Sequence, residues 1–598
     1  MAFIAIAVAT AVIAAGGSAK TQASAGGTLK VGWEQSFGFT DSFDPTGEYL
    51  GDAFGLYSDL LIRTLVGYNH VAGAAGNSVI ADLATSVPTP TNGGKVYTFH
   101  IRSGVKFSPP VNRAVTSKDV LYAMERLANP KDGGQYSFYY SVIKGWESYA
   151  KGKAKTISGI QTPNASTIVF TLTQPTGDFL RRMSMPATGP IPSEVAKCFN
   201  GQPGKYGLDL VSTAGYMIKG MDQVNDSSCA GLKPASGINE QTDIDLVRNP
   251  NYNPATDSKV ARENFPDEFQ FLIDSNADDI YNKIEAGELD MANSSIPPQD
   301  LRKYSTDASL RSQYHVNSGD RTWYITMNLT QAPFDDIHVR KAMNYIMDKT
   351  SLIQAWGGPQ YGKVANHIVP DTLFNNQLSE FAPYKTPGDH GSVAKAKAAM
   401  KGSKYDTNND GKCDVAACKN VYLLADTRLV DQKMVPVMQA DAKKIGITFK
   451  VHTINGAYPT LQTPSKDVAV SERPGWGKDY ADALTFFSPL FDGRTIIPNG
   501  NTNYSLVGIT PSIAKTVGVT GDVNNVPSIN AQLDKCAGLI GQSRLSCYEN
   551  LDKFLMTNVV PWVPYMWSYV VRITSTNVTK YGFDQFSTTP AYAHIAVK

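Results

Sequence analysis

The 598-residue sequence predicts an α/β protein with several domains. Along the whole chain, segments with the alternating apolar residues of strands are interspersed with segments of helical spacing, which indicates layered α/β packing. The clearest case is residues 419–453, where a strand, a helix over about Leu429–Lys444 and a second strand follow each other. We expect the two strands of this βαβ unit to be parallel, with a right-handed crossover. At roughly 100–200 residues per domain, the length indicates two to four domains.

The composition excludes some classes of function. Lys and Arg total 55 while Asp and Glu total 54, so the formal net charge is +1. This balance argues against nucleic acid as a partner, because nucleic-acid binding usually needs a basic face. Hydrophobic residues make up 42% of the chain, which excludes a mostly disordered protein.

The sequence begins with an apolar run over residues 2–15, which small residues follow. A helix that spans a bilayer needs about 20 such residues, so the run is too short for one and has the length of a signal-peptide core. We therefore predict that residues 1–26 are a leader and that the protein is exported to the cell envelope. The alternative is a buried N-terminal helix. No Cys follows the run, so the sequence does not predict a lipid anchor.

Six cysteines in an exported chain predict disulfides. Proximity in the sequence favours three local pairs, which are Cys198–Cys229, Cys413–Cys418 and Cys536–Cys547. None of these pairs has the Cys-x-x-Cys spacing of a zinc site. The alternative is six reduced cysteines in the core.

Several elements can be placed from apolar spacing and helix caps. Val96–Arg102 and Thr167–Thr173 alternate as strands, and a helix between them is capped by Thr116 with Asp119 three residues later. Three further helices are expected from near Ser275, over about Asp336–Trp356 and over about Arg544–Met556. The last of these leads into a strand at 559–565 that proline interrupts.

The sequence contains none of the common catalytic or cofactor motifs: HExxH, GxSxG, GxxxxGK[ST] and GxGxxG are all absent. We therefore predict no catalytic residues and no organic cofactor.

One segment resembles a calcium-binding loop, because oxygen-bearing side chains alternate over nine positions with Gly411 at the sharp turn. These side chains are Asp406, Asn408, Asp410 and Asp414. Ala417 replaces the Glu expected at the twelfth position. Two interpretations remain open, a structural calcium ion and a polar turn closed by a Cys413–Cys418 bridge.

A series of motifs links the sequence to a known family. The longest are YTFHIRSGVKFSPPVNRAVTSKDVLYAMERL at 97–127, LVRNPNY at 246–252, TMNLTQAPFDDIHVRKAMNYIMDKTSLI at 326–353 and WGKDYAD at 476–482. In this order they resemble the extracellular solute-binding proteins of ABC importers, family 5, which is the oligopeptide/dipeptide/nickel-binding group. The resemblance covers about residues 27–598.

The resemblance implies a two-lobed clamshell of the periplasmic-binding-protein type II, with an extra inserted subdomain. The first lobe is expected from residues 27–65, 186–317 and 562–598, the inserted subdomain from 66–185, and the second lobe from 318–561. The hinge is expected where the chain crosses near Asn317–Asp320 and Val560–Pro561.

The resemblance also implies a ligand site. In oligopeptide-binding members, the Asp of the W-x-x-D-Y segment receives the α-ammonium of the peptide, and Asp479 occupies this position. The pairing is physically reasonable, because a buried cation needs a charged partner. The other expected ligand-binding residues are Trp476, Tyr480, Asp44, Asn328 and Arg473. Structural alternatives are a turn-capping carboxylate at Asp479, lobe core at Trp476 and a solvated loop charge at Arg473.

The function implied by the resemblance is peptide capture by a monomeric binding protein and delivery to the transmembrane subunits of an ABC permease. A second hypothesis keeps the fold and changes the cargo to a nickel chelate, a sugar oligomer or another solute. A third hypothesis is a secreted hydrolase, for which the sequence shows no nucleophile or metal constellation.

Overall fold

The computed structural model describes residues 25–35, 39, 42–48, 50–472 and 474–598. Most of the predicted leader (residues 1–24) and Arg473 therefore lie outside the described residues. Two large sheets, a smaller third sheet and many helices form the predicted α/β architecture. Throughout these ranges, every helix is too short or too polar to cross a bilayer.

The first sheet is built around its central strand, Thr28–Glu34. This strand is parallel to Glu268–Asp274 on one side and to Met291–Asn293 on the other. The sheet continues through the antiparallel strands Asp243–Arg248, Tyr216–Ile218 and Ile238–Asn239. Leu29, Val31 and Trp33 are buried on one face of the central strand, as period-two alternation requires.

The second sheet contains the predicted βαβ unit. Val421–Asp426 and Phe449–Ile454 are parallel, and helix Leu429–Lys444 connects them, so this prediction is confirmed. The strand order of the sheet is Gly362–Val364, Trp562–Ile573, Tyr314–Met327, Val470–Ser471, Val421–Asp426 and Phe449–Ile454, with Gly475–Gly477 paired beside Tyr314–Met327.

The third sheet confirms the predicted strand–helix–strand segment. Its antiparallel strands are Val96–His100, Thr167–Thr171 and Ile160–Asn164. The intervening helix is Ser117–Ala128, and Thr116 and Asp119 form its capping box. The Asp119 carboxylate accepts the N–H of Thr116 at 2.8 Å, which supplies one partner that the start of a helix otherwise lacks.

Other elements connect and cover these sheets. The remaining α-helices are Gly51–Leu56, Trp146–Ala150, Phe179–Arg182, Ser193–Ala196, Ala277–Glu285, Pro298–Thr306, Ile337–Ile346, Lys349–Trp356, Val393–Met400, Tyr458–Leu461, Leu484–Phe491, Pro511–Val517, Asn530–Ala537 and Gly541–Phe554. Short paired strands are Val66–Gly67 with Ile80–Ala81, Val578–Lys580 with Ala596–Val597, and Phe583–Asp584 with Thr589–Pro590.

The helix predicted over Asp336–Trp356 is two helices, Ile337–Ile346 and Lys349–Trp356. Met347 is extended, with ψ at 126°, which ends the first helix. Asp348 then caps the second by accepting the N–H of Ser351 at 2.8 Å. The break arises because a favourable cap competes with continued helical hydrogen bonding.

All six cysteines lie in the described part of the chain and form the three disulfides that proximity favours. The Cα–Cα distances are 5.3 Å for Cys198–Cys229, 6.1 Å for Cys413–Cys418 and 5.5 Å for Cys536–Cys547.

Two long antiparallel strands, Tyr314–Met327 and Trp562–Ile573, connect the large sheets. Residues 314–318 pair with 569–573 close to the first sheet, where Met291 bridges Thr574, whereas residues 322–326 pair with 562–567 inside the second sheet. The register is interrupted between Ser318 and Thr322. The partners on the returning strand at this interruption are residues 567–569. The expected hinge near Asn317–Asp320 and Val560–Pro561 stays a prediction. The assignment of the other segments to lobes stays a prediction.

Candidate functional site

A cavity of about 650 Å³ lies between the second sheet, the segment 135–139 and the loop 586–588. Its aromatic lining residues are Phe54, Tyr136, Phe138, Tyr139, Tyr458, Trp476 and Phe586. Of the described residues that line it, Arg321, Lys478 and Asp479 are charged. A mostly apolar wall with a few polar groups is the usual character of a small-molecule or peptide site. A larger depression of about 990 Å³ around residues 248–265 contains none of the predicted site residues.

The strand Gly475–Gly477 places Trp476 in the cavity wall. It pairs antiparallel with residues 321–323, so that Gly475 lies opposite Trp323. A Cβ atom at Gly475 would lie 2.4 Å from the Trp323 ring, so this close approach requires glycine. The Trp476 indole N–H donates to the Thr485 carbonyl at 2.8 Å. This bond fixes the orientation of the half-buried ring.

Asp479 follows this strand and lies half-buried in the cavity wall. Its carboxylate accepts the hydroxyl of Tyr139 at 2.5 Å, across 340 residues of sequence. Burial raises the pKa of Asp479 to about 6, against the opposing effects of the Tyr139 hydrogen bond and the Arg321 charge. No described cation lies within ion-pair distance of this carboxylate. The site is therefore suited to a positively charged group of a ligand.

Lys478, in contrast, is already compensated. Its ammonium pairs with Asp320 and donates to the Gln585 carbonyl at 2.7 Å, and both members of the ion pair are buried. The hydroxyl of Thr372 donates to the same Asp320 carboxylate. Lys478 thus joins residues that are far apart in the sequence and leaves little net charge in the cavity.

Arg321 is the other cation of the wall, and the sequence analysis missed it. It is exposed to the cavity, its guanidinium lies 5.6 Å from the centre of the Trp323 ring, and its Nη1 donates to the Gly475 carbonyl at 3.2 Å. The surrounding walls lower its pKa by burial. Arg321 lies before the family motif at 326–353, so no sequence motif indicated that it would line the cavity.

Tyr480 does not line the cavity, contrary to expectation, and lies one layer behind it. Its ring is fully buried and packs edge-to-face on Tyr139, with 5.1 Å between ring centres. Its hydroxyl donates to Asp178 at 2.5 Å. Tyr480 therefore supports the residue that holds Asp479.

Behind Tyr480 lies a buried group of charges, Asp178, Arg182, Asp482 and Arg544. Asp178 pairs with Arg182 at 2.9 Å and with Arg544 at 3.5 Å, while Arg544 donates two 2.9 Å bonds to Asp482. Burial by itself would raise the pKa of Asp178, but the two guanidinium groups outweigh it and hold the pKa well below its usual value.

Asp44 and Asn328 also lie away from the cavity. Asp44 is fully buried and accepts bonds from Arg126 at 3.1 Å and from the N–H of Thr46 at 3.0 Å. Asn328 donates to the Val468 carbonyl at 3.1 Å and accepts the N–H of Thr330 at 3.0 Å. Their side chains hold loops together, and neither residue lines the cavity. Arg473 lies outside the described residues.

The calcium-like loop is held by its own carboxylates. The two oxygens of Asp406 accept the N–H groups of Asp410 at 3.0 Å and Gly411 at 2.9 Å, and Asp414 accepts those of Thr407 and Asn408 at 3.1 Å each. Within the described ranges, no group of three or more His, Cys, Asp or Glu side chains is arranged to hold a metal ion. Calcium binding by this loop stays a hypothesis.

Comparisons with known proteins agree with this architecture. The family model of the bacterial extracellular solute-binding proteins, family 5, matches residues 78–496. The periplasmic oligopeptide-binding protein OppA of Escherichia coli (strain K12) is 24% identical over 461 residues, which cover 75% of this chain and 76% of the relative. Heme-binding protein A of Haemophilus influenzae is 24% identical over 517 residues, which cover 82% and 81%.

A solved structure has a similar fold. The clavulanic acid biosynthesis oligopeptide binding protein 2 superimposes with a TM-score of 0.78 at 22% identity, and the match covers 96% of both chains. At this identity the likeness concerns the fold alone. It confirms the predicted two-lobed α/β clamshell.

Proposed function

We propose a function from the premise that this chain belongs to the bacterial extracellular solute-binding proteins, family 5, whose family model matches residues 78–496. We infer that it is the extracellular binding component of an ABC importer, captures peptides and delivers them to the transmembrane permease. The oligopeptide-binding names of two similar proteins support peptide as the cargo. In this proposal the protein is exported, acts as a monomer and changes no covalent bond of its ligand.

The peptide assignment rests on the environment of the Asp479 carboxylate. A carboxylate that is half-buried, hydrogen-bonded to Tyr139 and without a described cationic partner is well suited to the α-ammonium of a peptide. The aromatic wall can contact side chains of many kinds, because a wide, partly wet pocket does not select one shape. Affinity would then come from the ends and the main chain of the peptide.

Capture follows from the position of the cavity. Its wall combines Tyr136 and Tyr139 on one side with Trp476 and Asp479 on the other, and the paired strands Tyr314–Met327 and Trp562–Ile573 link the two large sheets. Closure of such lobes around a ligand excludes water from the ammonium–carboxylate pair and strengthens it.

Asp479→Asn tests the proposal. It leaves the α-ammonium without a charged partner, and breaking a buried pair in this way costs about 3–5 kcal/mol. We expect calorimetry with tri-alanine to show at least about a hundredfold weaker binding. Glu288→Gln, an equal charge change at an exposed position, is the control and should bind like the wild type. If Asp479→Asn bound tri-alanine with unchanged affinity, Asp479 would not pair with the α-ammonium.

Mass spectrometry of peptides incubated with the protein separates a binder from a hydrolase. We expect every peptide to be recovered intact. Cleavage products that increase with protein concentration would contradict a purely binding role.

A further inference from the structure

A second, smaller cavity of about 220 Å³ lies beside the buried charges behind Tyr480, and two of these charges, Asp482 and Arg544, line it. It shares no described lining residue with the cavity that contains Asp479. We call it the polar recess. Its other polar lining residues come from four distant segments of the chain and are Asn77, Arg181, Thr372, Asn375, Gln542 and Tyr548.

Three polar groups of the polar recess lack a hydrogen-bond partner. Asn77 is only 7% exposed, and neither its Oδ1 nor its Nδ2 has a partner among the described residues. The same holds for the hydroxyl of Tyr548, which is 1% exposed, and for Nε of Arg181. Buried polar groups are normally paired, because an unmade bond costs free energy. Three of these four atoms can donate, so the recess suits a ligand that is rich in acceptors.

The polar recess also contains the start of a helix. Gly541 and Gln542 line it, and they begin the 14-residue helix Gly541–Phe554. The first N–H groups of a helix have no partner within it and carry partial positive charge. In the part of the chain that the structure describes, no side chain caps this start, and its first turn contains no acidic residue. The helix start and the unpaired side chains therefore favour the same kind of ligand, an anion.

The charges around the polar recess leave a net positive charge. Among the described residues, the guanidinium groups of Arg181, Arg182 and Arg544 face the carboxylates of Asp178 and Asp482. Arg544 is fully engaged, because it donates to both oxygens of Asp482 at 2.9 Å and to a backbone carbonyl at 2.8 Å. Arg181 approaches Asp482 only to 3.6 Å, and its side chain is 33% exposed. It is the guanidinium of this group that a further anion can reach.

We propose that the polar recess binds a small tetrahedral oxyanion, such as sulfate or phosphate, at a site separate from the larger cavity. The anion accepts hydrogen bonds from Arg181, from the amide of Asn77 and from N–H groups at the helix start, and it neutralises the excess guanidinium charge. A tetrahedral oxyanion presents acceptor oxygens in several directions, which matches donors that come from several segments. The exposed residues Gly541 and Gln542 give access from solvent.

Calorimetry with sodium sulfate and with sodium phosphate tests this, with sodium chloride at equal ionic strength as the reference. We expect saturable binding of a single oxyanion to the wild type and no saturable heat from chloride. A preference between sulfate and phosphate would identify the ion, and either preference supports the site. Sulfate also stabilises proteins in general, because it is excluded from their surface. The comparison with variants therefore decides, and not the stability of the wild type in sulfate.

Two variants address different donors of the site. Arg181→Gln removes the weakly paired guanidinium and should weaken oxyanion binding by about tenfold or more, the size of a lost charged hydrogen bond. Asn77→Leu replaces an amide that makes no hydrogen bond in the ligand-free protein. It should weaken oxyanion binding without lowering the melting temperature in chloride, whereas a purely structural role of Asn77 would lower that temperature. Arg311→Gln, at an exposed position outside the recess, is the matched control and should bind like the wild type.

The proposal is wrong if neither oxyanion binds the wild type with saturation. It is also wrong if Arg181→Gln and Asn77→Leu bind the oxyanion as tightly as the wild type does. None of these measurements requires a peptide, so a failure of the proposed function would leave them unaffected.

Discussion

Asp479 lies half-buried beside the Tyr139 hydroxyl, and burial raises its pKa to about 6. The ionised carboxylate is therefore less stable in the ligand-free protein than in water. A cationic ligand reverses this effect, because it stabilises the ionised form. The same residue thus has consequences for the pH dependence of both binding and stability.

Peptide affinity is expected to fall as the pH drops through about 6, because protonated Asp479 cannot pair with an ammonium. Above this pH the carboxylate is ionised and binding reaches its plateau. Calorimetry between about pH 8 and pH 5, in buffers of different ionisation enthalpy, should also detect proton release on binding at the acidic end. Asp479→Asn should show neither effect. A flat affinity profile for the wild type would contradict the assignment.

In the ligand-free protein, Asp479→Asn should not reduce stability near neutral pH. The folded-state pKa of about 6 lies above the usual value of 3.8, so this group favours folding at low pH and loses that contribution as the pH rises through 6. At about pH 8 the neutral amide avoids the burial of a charge. We expect equal or higher stability in urea denaturation at that pH. A loss of more than about 1 kcal/mol would mean that Asp479 has a structural role.

His367 gives a second pH-dependent prediction. It is fully buried, with its ring nitrogens 3.1 Å from Asp552 and Asp371. Burial by itself would lower its pKa, but the two carboxylates raise it to about 9 from 6.5. The protonated ring therefore stabilises the fold by roughly 3 kcal/mol below pH 6.5, and this contribution is lost as the pH rises through about 9.

Urea denaturation at about pH 6 and pH 10 measures this loss, in comparison with His367→Gln and the exposed control His390→Gln. The control should follow the wild type, whereas His367→Gln should lose much less stability between the two pH values. If all three proteins lost the same free energy of unfolding between these pH values, the charged His367 ring would not stabilise the fold.

At the scale of elements, buried charges join two helices from distant parts of the sequence. Arg544 lies in the first turn of Gly541–Phe554 and pairs with Asp178, which immediately precedes Phe179–Arg182. It also donates to the Ala537 carbonyl at 2.8 Å, near the Cys536–Cys547 disulfide. Since Tyr480 contacts the same Asp178, this junction also supports the wall of the cavity.

Arg544→Met should destabilise the protein by about 3–5 kcal/mol, because it removes the two short bonds to buried Asp482 and one of the two cationic partners of buried Asp178. Asp482 then keeps only the longer 3.6 Å pair with Arg181. Arg494→Met is the matched control, since Arg494 pairs with Asp492 and Asp534 while half exposed. Such surface pairs contribute about 0–1 kcal/mol. Chemical denaturation measures the free energy of unfolding of both variants. Equal decreases would show that the buried pairs of Arg544 stabilise the protein no more than the surface pairs of Arg494 do.

At the scale of the whole molecule, two long strands of the second sheet, Tyr314–Met327 and Trp562–Ile573, extend to the first sheet, where Met291 bridges Thr574. Their register is interrupted between Ser318 and Thr322, next to the cavity residue Arg321. If the lobes close as proposed, we expect bending between the sheets to concentrate at this interruption, because each sheet can then keep its own hydrogen bonds. The proposed capture of a ligand by closure of the lobes would depend on this connection.

Small-angle scattering tests closure directly. A compact chain of this length has a radius of gyration of roughly 25 Å, and saturating tri-alanine should lower the measured value for the wild type. Asp479→Asn at the same peptide concentration should keep the ligand-free profile. Identical profiles of the wild type with and without a bound peptide would contradict the closure mechanism.

Sequence reasoning succeeded where the determining interactions are local. The capping box of Thr116 and Asp119 lies within one turn, and the strands around helix Leu429–Lys444 are close in the sequence. The same holds for the disulfides, which close short loops. Trp476 and Asp479 lie within one segment of four residues, and both line the same cavity. Their contact with a ligand stays a prediction.

The remaining features depended on contacts between distant segments. Asp44 accepts a hydrogen bond from Arg126, which is 82 residues away, and Tyr480 donates one to Asp178, which is 302 residues away. Neither side chain faces the cavity. Tyr139 reaches Asp479 across 340 residues, and Arg321 enters the wall through strand pairing. A local pattern determines which side chain a segment offers, but its partner, and hence its burial and charge, is decided only when distant segments pack together.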